Sequence, residues 1–331
     1  MKRYLCTLLA AVLAPAAHAS CGSSFCTVDT NWDTQGLSSS EGLRLDARYS
    51  YAKANTLRAG HSRIEAATPS GSDEEIENQR SLNRLLNLDA EYTFNARWSA
   101  TLSLPVVMRD HRHTFDSSLD GPFTQSASFH EIGDMRVVGR YRLDPGNPFS
   151  GVGLRFGLKL PTGSTNKTMS PPDPADPGTP YALERSAQPG SGSTDAILGA
   201  YYFQTLPGTG WGWFASAQLQ TALATRSDYR PGTEVKLDLG THYELAPRLT
   251  GLLQLNALHR PRDGGAAANP ASGGHAFYLS PGLSYAVAPH TQIYGLLQLA
   301  VSQYAKTDPL DPQAGQLTAP RSFTVGFSQR F

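Results

Sequence analysis

The sequence has little cysteine, no long apolar run and no charge of prevailing sign. Three Cys occur in 331 residues, at positions 6, 21 and 26, too few for a disulfide framework. The C-x₄-C spacing of Cys21 and Cys26 lacks both the C-x₂-C redox pattern and a haem-attachment His. Beyond the first residues, Arg, Asp, Asn, Gln or Ser interrupts every apolar stretch, and mean hydropathy is −0.33. A membrane helix, which needs roughly 20 apolar residues, is thereby excluded. The 28 basic and 28 acidic residues cancel, so no field attracts a polyanion and no nucleic-acid partner is expected. Helical periodicity is nearly absent. So are a Gly-x-Ser-x-Gly elbow and a Gly-Lys-Ser/Thr phosphate loop. No catalytic residues and no cofactor are expected.

The N-terminus reads as an export signal. Lys2 and Arg3 form a positive region, Leu5 to Leu13 an apolar one, and Ala17-His18-Ala19 a small-residue cleavage site. Residues 1–19 are thus expected to be a signal peptide. Lipidation at Cys21 is the alternative, although His18 stands where a lipobox usually has Leu. Residues 20–40 are expected to form a short periplasmic segment, with Cys21 and Cys26 joined by a local disulfide in an oxidising compartment.

From Gly42 onward the period is two. Leu43, Leu45, Ala47, Tyr49 and Tyr51 alternate with Arg44, Asp46, Arg48 and Ser50, a pattern that an extended chain produces and a helix does not. Similar segments begin near 81, 98, 131, 150, 194, 211, 233, 248, 275, 291 and 321. Short connections at 95–97, 144–149, 206–210, 246–247 and 288–290 alternate with long ones near 53–80, 109–130, 161–192, 226–232, 261–274 and 306–320. That sorting matches the periplasmic turns and extracellular loops of an outer-membrane barrel. The expected fold is an all-β, closed antiparallel transmembrane barrel of about 12 strands over 41–331, in the bacterial outer membrane. Phe331, on the parity of Phe323, Val325 and Phe327, is a terminal aromatic signal for the outer-membrane assembly machinery. Gln329 departs from that pattern.

Hydrocarbon cannot solvate charge, and an outward Arg near the midplane costs about 2–4 kcal/mol. The apolar face therefore meets lipid, and the ionic one lines the lumen. Candidates for a solute path are Arg44, Arg48, Asp89, Glu91, Asp134, Arg136, Arg140, Arg142 and Arg155. Either these charges pair across strands and stiffen the barrel, or the Arg-rich side draws an anionic solute. Twelve strands about 4.7 Å apart, tilted about 40°, give a backbone diameter of roughly 24 Å and an opening of ~10 Å or less. Such a lumen suits small solutes.

The most metal-like group is Asp110-His111-Arg112-His113, with His130-Glu131 at the far end of the same stretch. Two His with a third His or a carboxylate would suit Cu²⁺ or Zn²⁺. Against this, the imidazoles of His111 and His113 are expected on opposite faces of an extended strand, and no metal site is assigned. The Pro-rich stretch from Pro161 to Pro174 reads as a solvated external loop.

Three phrases carry a resemblance: Glu131-Ile132-Gly133-Asp134 leading into Val137–Tyr141, Gly157-Leu158-Lys159-Leu160-Pro161-Thr162-Gly163, and Gly190-Ser191-Gly192-Ser193-Thr194-Asp195. They resemble the outer-membrane family described as Putative MetA-pathway of phenol degradation, strongest over the third to seventh strands. The resemblance implies a barrel and solute passage, and supplies no catalytic residues. The expected function is a channel or transporter-like barrel for small anionic or aromatic solutes. The alternatives are a non-conducting docking barrel with a periplasmic partner and, third, an outer-membrane enzyme.

Overall fold

The computed structural model describes residues 28–37, 41–65, 75–117, 121–172, 177–310 and 315–331. Residues 1–19, expected to be a signal peptide, and the Cys21–Cys26 pair lie outside the described residues.

Thirteen hydrogen-bonded segments close into one antiparallel sheet, and two of them are halves of a single strand. The barrel therefore has twelve strands. They are β1 (Gly42–Ala54), β2 (Glu75–Thr93), β3 (Trp98–Ser117), β4 (Gly121–Ile132 and Arg136–Arg142), β5 (Ser150–Lys159) and β6 (Asp195–Leu206). The rest are β7 (Trp211–Ala222), β8 (Glu234–Ala246), β9 (Leu249–Arg260), β10 (Gly274–Ala288), β11 (Thr291–Ala305) and β12 (Arg321–Arg330). The ring closes where β1 pairs with β12, Arg44 opposite Arg330 and Ala52 opposite Ser322. Closure leaves no sheet edge in hydrocarbon, where an unpaired backbone group would cost several kcal/mol.

The alternation places side chains as the period requires. Leu45, Leu88, Leu102, Leu154, Phe156, Leu239, Leu255, Leu297 and Phe327 face outward and are exposed, a continuous apolar band that only lipid can cover. Aromatic pairs gather at the short-turn end: Tyr92–Phe94 at 5.0 Å, Trp98–Tyr141 at 4.6 Å and Trp211–Tyr243 at 4.9 Å between ring centroids. These rings mark one membrane interface.

Two expectations need correcting. The stretch 109–130 is not an open loop: β3 and β4 continue through it as a hairpin, with Asp110 opposite Ser128 and Thr114 opposite Thr124. The polar outer residues there suppressed the strand signal, because this part stands above the hydrocarbon. The N-terminal segment is also not confined to the periplasm. Residues 28–37 run inside the barrel, where Trp32 packs against Leu252, Tyr294 and Leu296. An indole gains far more from an apolar niche than from water.

At the long-loop end the connections fold back over the lumen. Leu57, Leu317, Met169, Leu183 and Ala187 pack with Ala52, Val107 and Phe129 of the barrel wall. Short strands Thr56–Ala59 and Gln316–Thr318 pair across this roof. The Pro-rich stretch expected to be solvated thus contributes Met169 and Leu183, its neighbour in the same connection, to a buried cluster.

Candidate functional site

The three phrases singled out in the sequence converge at the break in β4. Gly133, Asp134 and Met135 interrupt the strand, and the connection between β5 and β6 supplies the missing partners. Thr162 Oγ1 accepts the Met135 amide at 2.9 Å and donates to the Gly133 carbonyl at 2.7 Å. The Asp134 carboxylate accepts the amides of Gly163 at 3.1 Å and Ser191 at 2.9 Å. Lys159 Nζ reaches Asp134 at 3.0 Å and Asp195 at 3.1 Å. A Cβ at Gly190 would stand 2.4 Å from the Gly163 carbonyl oxygen, so glycine is required where these two segments touch. The cluster is a buried junction with its charges paired, and it seals the interrupted wall.

Inside the barrel the ionic face forms a network. Arg44 donates to Glu91 at 2.9 Å, Arg140 reaches the same carboxylate at 3.3 Å, and Thr101 Oγ1 donates to it at 3.2 Å. Arg48 stands 3.9 Å from Asp89. Asp46 accepts the Tyr294 hydroxyl at 2.8 Å. Among the described residues no ion pair is formed by Arg136 or Arg155, and both guanidinium side chains face the open lumen.

Two cavities lie along the axis. The one toward the short turns has a volume of about 180 Å³ and is lined by Arg44, Asp46, Arg155, Asp238 and the segment Val28–Trp32. The one toward the long loops has a volume of about 270 Å³, with Leu85, Pro105, Val107 and Leu258 alongside Arg109, Arg185 and Arg260. Arg48, Asn87, Ser103, Arg136 and Lys236 line both. These five residues form a polar collar between two chambers.

The lower chamber is floored by residues 28–37. The Asp29 side chain accepts its neighbour's amide, Asn31 N, at 2.8 Å, and a 3₁₀ turn over Trp32–Gln35 follows. Gln254 of β9 grips the Asp29 backbone twice: Oε1 accepts the amide at 3.1 Å, and Nε2 donates to the carbonyl at 2.8 Å. Ser216 Oγ of β7 lies between two carboxylates, 3.0 Å from that of Asp29 and 3.2 Å from that of Asp238, and its one proton is shared between them. Trp32 meets Tyr294 edge-on at 4.7 Å, so the segment also leans on the group that caps Asp46. Gly36 turns with φ of 74° against the Phe203 ring, where a Cβ would lie 2.5 Å away.

The sequence-derived candidates separate into groups. Arg48, Asp89, Glu91, Arg136 and Arg155 line the chambers, and Arg44 does so while held by Glu91. Asp134 lines the upper chamber, but its carboxylate is taken up by the junction. Arg140 is drawn to Glu91 and Ser99. Arg142 is elsewhere: its guanidinium ties down the 144–149 turn through the carbonyls of Asp144 and Ser150, both at 2.8 Å, and of Asn147. It also stands 5.4 Å from the Phe203 ring. A charge at a strand end serves the turn, which parity alone does not reveal.

His111 and His113 correct another expectation. Residues two apart on a strand share a face, and both imidazoles point inward, buried, with ring centroids 4.4 Å apart and their Nε2 atoms in contact. His130 lies on the exposed face of β4 instead, opposite Met108. Among the described residues no group of three His, Cys, Asp or Glu side chains is placed to hold a metal ion.

The sequence reading missed Asp29, Trp32 and Gln254, which hold the floor. It also missed the mouth of the upper chamber. There Tyr229 donates to Asp263 at 2.8 Å, with Arg185 5.2 Å from its ring. Burial pushes the Tyr229 phenol above its ordinary range.

The sequence pattern of the family described as Putative MetA-pathway of phenol degradation matches residues 72–309. No curated protein matches the chain. Among solved structures, a COG4313 outer membrane channel from Pseudomonas putida F1 is 12% identical, with 92% of this chain and 100% of that chain covered and a TM-score of 0.63. The Ralstonia pickettii toluene transporter TbuX is 11% identical, with 90% and 91% covered and a TM-score of 0.46. The first likeness fixes the fold: the protein is a bacterial outer-membrane β-barrel.

Proposed function

The chain belongs to the family described as Putative MetA-pathway of phenol degradation, and from that premise we propose that it is a gated outer-membrane channel for small aromatic solutes, neutral or singly anionic. The observation that carries this reading is the pair of chambers joined through the collar of Arg48, Asn87, Ser103, Arg136 and Lys236. A wall that sets Leu85, Val107 and Leu258 against Arg109, Arg185 and Arg260 suits a ring bearing a hydroxyl or carboxylate. The basic residues of the upper chamber, Arg48, Arg109, Arg136, Lys159, Arg185, Lys236 and Arg260, outnumber its acids Asp134, Asp195 and Glu234 and give it a positive field, whereas the charges lining the lower chamber balance. Chambers of about 270 and 180 Å³ suit a single small ring better than an oligosaccharide.

Passage requires the floor to move. The segment 28–37 is held by a few hydrogen bonds and one indole, not by sheet pairing. Its release opens the lower chamber toward the periplasm while the β-barrel stays closed. The family description and the printed title of the Pseudomonas putida channel agree with this reading.

The test is reconstitution in planar bilayers and in liposomes. Small conductance steps with anion preference are expected, with benzoate and phenol fluxes above that of a disaccharide. A barrel lacking residues 20–40 should conduct more. If neither form passes current or solute, the protein is a docking barrel and not a channel.

A further inference from the structure

We propose that the lipid-facing wall of β12, β1, β2 and β3 binds the phosphate groups of lipid A in the outer leaflet, through Arg321, Lys53, Arg84, Arg80 and Arg112. The inference does not depend on what the lumen carries.

Parity puts all five side chains on the outside. Lys53 continues the outward series Leu45, Tyr51 on β1, and Arg321 precedes Phe323 and Val325 on β12. Arg84 and Arg80 continue Tyr92 and Leu88 on β2, and Arg112 follows Asp110 on β3. Lys53, Arg80, Arg112 and Arg321 are exposed, and Arg84 is half-exposed. Among the acids of these strands whose side chains are described, Asp110 alone faces outward, and Arg84 is already paired with it.

The height is that of a headgroup. From Leu43, the first outward residue of β1 above the short-turn end, to Lys53 is ten residues. At about 3.3 Å per residue and a tilt of about 40°, this is a rise of roughly 25 Å. An outer-membrane barrel's apolar band has about that height. The basic residues begin where the band stops, at the end away from the aromatic girdle and on the long-loop, extracellular side.

The arrangement is also costly without a ligand. Arg80 stands directly opposite Arg112 across β2 and β3. Lys53 and Arg321 follow the Ala52–Ser322 pair on their two strands. Like charges facing each other across a sheet repel, and a dianionic headgroup between them reverses the sign. Guanidinium groups bind phosphate bidentately. The pattern is one-sided: at the same end of β5, β6 and β7 the outward positions are Leu158, Ala196 and Thr221. A solubility requirement would have charged the whole rim.

The experiment uses full-length protein refolded in detergent free of lipopolysaccharide, with native mass spectrometry counting bound lipid. The probes are bisphosphorylated lipid A, fully dephosphorylated lipid A, phosphatidylglycerol and inorganic phosphate. Wild type should retain bisphosphorylated lipid A in preference to the other three. Each basic residue removed should weaken retention by about fivefold, so Lys53→Gln/Arg321→Gln and Arg80→Gln/Arg112→Gln should each lose roughly 25-fold. Arg80→Lys/Arg112→Lys, which keeps charge and folding, should lose much less, and Arg97→Gln at the opposite end nothing. Equal retention by the Gln variants or equal binding of dephosphorylated lipid A would overturn the proposal. So would full competition by inorganic phosphate, which would make the site an anion site and not a lipid site.

Discussion

Replacing Trp32 by alanine should unseat the lumenal segment while leaving the barrel intact. The indole is 1% exposed and packs on Leu252, Tyr294 and Leu296, with Val28 and Leu37 closing over it. Truncating a buried Trp in a comparable niche costs about 3–5 kcal/mol. The loss falls on docking of the segment and not on the sheet, because residues 28–37 pair with no strand of the barrel. At about 1.4 kcal/mol per tenfold, the equilibrium constant for docking should fall by roughly two to three and a half orders of magnitude. Gln254 would still grip the Asp29 backbone, so release would be frequent rather than complete. Single-channel recording reads this directly: Trp32→Ala should gate often between a low and a high conductance level, and Trp32→Ala/Gln254→Ala should stay at the high one. Heat-modifiability on a gel should be unchanged in both. If current through Trp32→Ala matches wild type while removal of residues 20–40 raises it, the indole is not the latch.

Other residues give separate checks. Glu91→Gln removes the carboxylate shared by the buried Arg44 and the half-buried Arg140. It should cost about 3–5 kcal/mol, read as a lower urea midpoint for unfolding from micelles. Arg136→Glu should lower the anion-to-cation permeability ratio and reduce benzoate flux more than phenol flux. An unchanged ratio would remove Arg136 from the path. Gly157→Ala places a Cβ 2.2 Å from the Val137 carbonyl oxygen of β4; since backbone cannot yield there, the folded, heat-modifiable band should largely disappear.

Much of the architecture followed from local chemistry. Alternation with a period of two, turn-forming Pro and Gly, and the sorting of connections by length located nine strands within a few residues of their observed ends, while β2 begins six residues earlier than expected and β3 runs on to Ser117. The fourth strand was truncated because its upper half, Gly121–Ile132, has polar residues on its outer face, and that face stands outside hydrocarbon. The same physical reason hid the β3–β4 hairpin and made its histidines look like loop residues. The phrases around Asp134, Lys159 and Ser191 were visible as words in the sequence. Their meaning as one sealed junction was not, since it needs three segments tens of residues apart to meet.

The sequence by itself determined that this chain is a barrel, which face meets lipid and which residues point inward. Those properties depend on the nearest neighbours along a strand and on the solvent that each parity must face. Only the tertiary structure decided which lumenal charges are spent on one another and which face open space. Arg44 and Arg140 share Glu91 across three strands, Arg142 serves a turn, and Arg136 and Arg155 remain to line the path. It also decided that Asp29 and Trp32 close the lumen from within. A ten-residue segment has no period to announce where it docks; its place is set by a niche assembled from β7, β9 and β11.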